Sequence, residues 1–236
     1  MRRASTPSSA PRPGRVAARL RPAPWAVLAA AALLGACAGK PPAPDWEMNA
    51  RGSLDRYVAA WMDGADRAAD AEFARARTAL AATGQPALVA RAELTRCALQ
   101  ASALVVAPCP GFETLRDDAP AAERAYADYL AGHLAPSQAD LLPPQHRDVA
   151  TAAAPDAALA AVPDPLARLV AAGVLMRSGR ATPGVIASAV DTAAAQGWRR
   201  PLLAWLGVQA LRAEAAGDAQ AAARIRRRMA LAAGER

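Results

Sequence analysis

The chain has 236 residues, 53% of them apolar, enough for one domain with a buried core beside a short terminal segment. Its formal charge is +7, but residues 1–36 hold six arginines and no acidic residue, and without those six the remaining 22 basic groups face 21 acidic ones. Beyond residue 36 the chain is thus close to neutral, which excludes a general attraction to nucleic acid.

The N-terminus divides into three parts. Arg2, Arg3, Arg12, Arg15, Arg19 and Arg21 form a basic stretch broken by Pro11, Pro13, Pro22 and Pro24. An apolar run follows from Trp25 to Leu34, too short for a permanent bilayer span. The run closes on Leu34-Gly35-Ala36-Cys37. A charged start, an apolar middle and a small-residue end make an export signal.

The last four of these residues resemble the lipobox of bacterial lipoproteins: a branched apolar residue, two small residues, then cysteine. The resemblance implies a diacylglyceryl thioether on Cys37, cleavage after Ala36 and acylation of the new amine. The alternative is an ordinary cysteine beside a secretory cleavage site. Several acyl chains give stable anchoring where one would be marginal. Ala38, rather than aspartate, follows the cysteine. In the enteric lipoproteins that this sequence resembles, that implies delivery to the outer membrane, facing the periplasm; the alternative is the inner membrane.

Ala38 to Asp45, with Pro41, Pro42 and Pro44, reads as an extended tether that reaches about 25 Å at about 3.1 Å per residue. The domain at 46–236 would then lie close to the lipid headgroups. Trp46 and Met48 either touch that interface or pack on the first helix.

Helix punctuation recurs along the rest of the chain. Ser53 is expected to cap a helix ending at Asp63–Gly64. A second helix is expected over Ala65–Ala82, closed by Gly84, and a third from Pro86 to near Leu104. Residues 105–118 read as a loop, and Asp117-Asp118 as the start of a helix reaching Gly132. Pro143-Pro144 and Pro155 break 136–161 into short pieces. Asp164, Thr182, Pro201 and Asp218 open the last four helices, the first three of which end near Ser178, Gly197 and Gly217. Roughly three in ten residues are alanine, the best helix former, and no convincing strand is present. The expected class is all-α, an array of antiparallel helix pairs or an irregular bundle.

Gly64, Ala69, Phe73 and Ala76 have the spacing of a tetratricopeptide repeat, which the hairpin around Gly64 resembles. Gly217 and Ala222 repeat part of the pattern, with Arg226 in place of the aromatic, and the family's proline is out of register after both pairs. The resemblance covers about 60 residues and implies helix pairs stacked as repeats.

Few residues carry chemistry. Cys97 and Cys109 form an even pair once Cys37 is set aside, and an exported chain favours a disulfide between them; two reduced, buried thiols are the alternative. Cys97 falls on the stripe Ala90, Leu94, Cys97, Ala101, Leu104, the expected buried face of its helix. His133 and His146 lie in different segments with no partner at metal-ligand spacing. His133 suits a helix C-terminus. No nucleophile elbow, phosphate-binding glycine loop or metalloprotease motif is present, so neither a catalytic residue, a metal site nor a cofactor is expected. Trp61, Trp198 and Trp205 are read as core residues, or alternatively as anchors for a partner groove. Arg224, Arg226, Arg227 and Arg228 are read as a solvated helix face that can also meet anionic lipid.

These readings converge on a non-catalytic, membrane-anchored envelope lipoprotein that binds a protein partner or serves a structural role. The alternatives are a helical carrier of a lipid or other hydrophobic ligand and, less favoured, an envelope hydrolase with His133 or His146 beside a carboxylate.

Overall fold

A computed structural model describes residues 43–234. The export segment, the lipobox with Cys37 and the tether as far as Pro42 lie outside the described residues. The described residues group as a compact unit with its own core. Among the described residues all regular structure is helical.

The first helix, α1, spans Asp45–Asp63. It starts earlier than expected. Pro44, at φ −57° and ψ 148°, stands just before it, and its carbonyl accepts the N–H groups of Glu47 and Met48. Asp45 and Glu47 place negative charge in the first turn, where the helix dipole favours it. The expected tether therefore ends before Asp45. Ser53, read as a cap, is instead buried inside α1, where its hydroxyl accepts from Arg56. The helix stops at Gly64, whose φ of 79° is left-handed and lets Ala65 N–H reach the Ala60 carbonyl.

Next come α2 (Asp66–Ala81), α3 (Pro86–Ser102), a short α4 (Pro110–Glu113) and α5 (Ala121–Ala131). The expected loop at 105–118 thus contains one helical turn, seated by the fully buried Phe112. Asp118 does not open α5. Pro120 disfavours the helical conformation at Ala119, so α5 starts after the proline and Asp118 stays in a turn. The broken region gives a 3-10 helix, Pro136–Leu141, then α6 (Pro144–Thr151) and α7 (Pro155–Ala160). Four longer helices follow: α8 (Pro165–Arg177), α9 (Pro183–Gln196), α10 (Arg199–Ala215) and α11 (Ala219–Ala233). Asp164, Thr182 and Asp218 each accept a first-turn N–H, at 2.6, 3.1 and 2.8 Å. Pro201 stands in the first turn of α10 rather than at its start, a position whose N–H needs no helical partner.

Consecutive helices pack as pairs, most extensively α1 with α2 and α10 with α11. Ala69, Phe73 and Ala76 are buried along α2, and the Phe73 ring lies 5.1 Å from that of Tyr57. Ala222 is buried against α10, while Arg226 pairs with Glu214 at 2.5 Å. Arg224, Arg227 and Arg228 are exposed.

Two helices tie the array together. α3 packs on α1, α2, α4, α5 and α8; α8 packs on α3, α5, α6, α7 and α9. Their own crossing is closed by glycine: a Cβ on Gly173 would stand 2.0 Å from the Ala101 carbonyl oxygen. Of the expected stripe, Ala90, Leu94 and Ala101 are buried, Cys97 is half-buried and Leu104 lies just past the helix end, half-buried; Val89, Ala92, Glu93 and Leu99 on other faces are buried as well. Trp205, fully buried on α10, donates its indole N–H to the Ser102 carbonyl at 2.9 Å and so closes the last turn of α3. Leu104 takes the left-handed conformation after that turn at φ 59°, a place usually given to glycine. Its side chain packs on the C-terminal core, which offsets the backbone cost.

Candidate functional site

The principal concave feature is a cleft of about 580 Å³ where α3, α5, the 3-10/α6 segment and the start of α8 meet. Small-molecule pockets run to about 300–1,000 Å³, so its size suits an organic ligand.

Each wall follows from local sequence. From α3 come Arg91, Leu94, Thr95, Ala98 and Leu99, spaced three, one, three and one, which is one helical face. Ala122, Glu123 and Tyr126 come from one side of α5. Pro143 and Pro144 end the 3-10 helix and begin α6, turning Leu142 and His146 into the wall. The first turns of α8 supply Leu166, Ala167 and Val170, with the cap Asp164 at the edge.

Apolar surface is the larger part of the lining, with Arg91, Thr95, Glu123, Tyr126, Gln145, His146, Arg147 and Asp164 as its polar residues. Glu123 is only 7% exposed. Its Oε1 accepts from Arg91 Nε at 2.5 Å, joining α5 to α3, while the Arg91 side chain is largely in solvent. Glu123 Oε2 is buried and has no hydrogen-bond partner among the described residues. An unmet buried acceptor costs about 1–3 kcal/mol, more when it carries charge.

His146 is 2% exposed. Its Nδ1 lies 3.3 Å from the Tyr129 hydroxyl, and its ring packs against Tyr126 and Tyr129 at 5.6 and 5.1 Å between centroids. Burial pushes its pKa down to about 4, against the opposing pull of the Asp164 charge. Burial also raises both tyrosine pKa values, so the phenols stay protonated. At neutral pH the imidazole is therefore uncharged. Asp164 is committed elsewhere, since its Oδ1 accepts the Ala167 N–H.

No protein-family model matches the chain, and neither a curated relative nor a solved structure matches it.

The residues singled out from sequence scatter. Cys37 lies outside the described residues. Cys97 and Cys109 stand at disulfide distance, Cα to Cα 5.9 Å, on the side of α3 away from the main cleft's lining. Cys109 also precedes α4, where its carbonyl accepts the Phe112 and Glu113 N–H groups. His133 is exposed just after α5, far in role from His146: its own N–H bonds the Asp128 carbonyl. Trp205 is core. Trp198 is partly buried against the core, and Trp61 carries the Arg200 guanidinium 4.1 Å above its ring. Trp46 packs partly on the N-terminal core, whereas Met48 is exposed. Among the described residues no group of three or more His, Cys, Asp or Glu side chains is placed to hold a metal ion.

Arg91, Glu123 and Tyr126 were missed by sequence reasoning. The 91-94-95-98-99 face was a readable signal, yet its mixture of arginine, threonine and leucine matches an ordinary half-exposed helix side. Nothing in sequence spacing pairs Glu123 with Arg91, 32 residues away.

Proposed function

We propose that the mature chain is a non-catalytic, lipid-anchored envelope protein that holds an apolar ligand in the cleft between α3, α5, α6 and α8. The single observation behind the ligand is the cleft itself: about 580 Å³, with Leu94, Leu99, Leu142, Leu166 and Val170 among its lining residues. The anchor rests on the resemblance of Leu34–Cys37 to a lipobox, and Ala38 after the cysteine favours the periplasmic face of the outer membrane over the inner membrane.

The polar groups of the cleft support binding rather than catalysis. The His146 Nδ1 faces a tyrosine hydroxyl, Asp164 caps a helix, and one oxygen of Glu123 is held by Arg91. A hydrolase would need the imidazole next to an available carboxylate. A purely protein-binding role, the reading favoured by the helix pairs alone, has support from the exposed Val106 in the loop between Cys97 and Cys109. The cleft is the more specific feature.

The test is titration of residues 43–236 with an environment-sensitive apolar dye. Saturable binding of one dye per chain, abolished by Ala98→Trp without loss of helical signal, is the expected result. Non-saturable binding, or binding unchanged by Ala98→Trp, would remove the ligand reading.

A further inference from the structure

The near-neutral charge beyond residue 36 conceals a segregation. Residues 199–233, α10 with α11, hold seven arginines and two carboxylates, whereas the rest of 37–236 holds 15 basic groups and 19 acidic ones. Arg199 and Arg200 are spent on the Asp63 and Trp61 carbonyls at the end of α1, and Arg226 on Glu214. α11 packs on α10 and has no other extensive helix neighbour. Its inner side is Ala222, Ile225 and Met229. Its outer side carries Gln220, Arg224, Arg227 and Leu231, spaced four, three and four, which is one helical stripe, with Arg228 one turn after Arg224. All five are exposed, Leu231 at 79%. Among the described residues, none of Arg224, Arg227 and Arg228 meets a carboxylate.

Resting on the reading of Cys37 as a lipid anchor, we propose that this face of α11 docks on an anionic phospholipid surface and gives the mature chain a second membrane contact. Guanidinium groups take phosphate oxygens in pairs of hydrogen bonds. The alkyl stems of the arginines, together with Leu231, suit the apolar side of the headgroup layer. A chain anchored at Cys37 would hold its domain within about 25 Å of the headgroups, the reach of eight extended residues. The root of that tether at Asp45 is separated from the α1–α10 contact at Asp63 by the length of α1, about 27 Å at 1.5 Å per residue. The two lengths are comparable, so α11 stays in range of the surface that the anchor occupies. A planar surface engages one side of the molecule, whereas a long polyanion in solution also meets the acidic remainder and is repelled there.

The test is co-sedimentation of residues 43–236, which carry the whole core, with vesicles at low ionic strength. Phosphatidylglycerol vesicles should bind the protein and phosphatidylcholine vesicles should not. Each arginine close to an anionic surface strengthens partitioning about fivefold. The triple change Arg224→Gln, Arg227→Gln and Arg228→Gln should therefore weaken binding on the order of a hundredfold while the helical signal is kept. Salt at about 1 M, where the screening length falls to about 3 Å, should release the unaltered protein. Absence of binding to phosphatidylglycerol, equal binding to both lipids, or binding unchanged by salt or by the triple change overturns the proposal. Retention on immobilised polyglutamate without vesicle binding assigns the face to an acidic protein and overturns it as well. The lipid and salt comparisons in the unaltered protein decide the matter even where the triple variant does not fold. Residues 43–236 lack Cys37, so failure here leaves the anchor reading standing, and that reading is tested separately by fatty-acid labelling of Cys37→Ser.

Discussion

The carbonyl oxygen of Ala101 occupies the space that a Cβ on Gly173 would need, 2.0 Å from its position. The obstacle is backbone, so no rotamer change relieves it. α3 and α8 can lie this close only because α8 carries glycine at the crossing, and the same two helices both contribute residues to the cleft.

Gly173→Ala should therefore force the two helices apart. Overpacking of a close-packed core costs about 1–3 kcal/mol, and a backbone clash lies at the upper end. Urea unfolding of the variant should show a lower midpoint, and dye affinity should fall with it. A stable variant with unaltered binding would mean that the crossing is looser than the structure shows.

Burial of His146 makes stability depend on pH. Its folded pKa, about 4, lies below the ordinary value of 6.5, so the unfolded state takes up the proton more readily. Its contribution to stability is present above pH 6.5 and declines as pH falls to about 4, with an upper limit of about 3 kcal/mol at 1.36 kcal/mol per pKa unit. Unfolding midpoints between pH 7 and pH 4 should fall with this slope. In His146→Gln, which keeps a polar partner for Tyr129, that part of the slope should disappear. An identical pH profile in the two proteins would place the imidazole in water.

Cys97 and Cys109 are separated by 12 positions and stand 5.9 Å apart at Cα. Closing a loop of this length contributes roughly 3 kcal/mol in the chain-entropy model. Reduction should lower the melting temperature, and the double change Cys97→Ser with Cys109→Ser should reproduce the reduced protein. Alkylation of the unfolded, non-reduced domain should modify neither cysteine. Two modified cysteines would show free thiols.

The anchor is tested at Cys37. Cys37→Ser should end incorporation of labelled fatty acid and leave an uncleaved or soluble chain, whereas the unaltered chain should carry the label in the membrane fraction. Equal labelling of both would remove the lipobox reading.

The array was readable from the chain where a local rule operated without competition. Asp164, Thr182 and Asp218 cap as expected because each directly precedes a helical run and accepts an N–H three residues on. Ser53 misled because α1 already begins at Asp45, just after Pro44, and Asp118 because the nearby Pro120 delays α5. The central place of α3 was not legible. A single stripe implies one buried face, but tertiary packing on five helices buries several faces, including that of Glu93, whose carboxylate is held by Arg77 at 2.9 Å. The cleft was less legible still. His146 was visible only as a lone histidine, and its setting came from Tyr126 and Tyr129 on α5, which no local spacing links to it. Gly173 showed no signal beyond a small residue in an apolar helix.

The most direct test of the central claim is native mass spectrometry of the full chain extracted from membranes of producing cells. The main species should begin at Cys37, carry the mass of its acyl groups and hold one further non-covalent amphiphile per chain, which Ala98→Trp should eliminate while the covalent lipid mass is retained. A mature chain with no non-covalent adduct, or an adduct equally present in Ala98→Trp, would contradict the account.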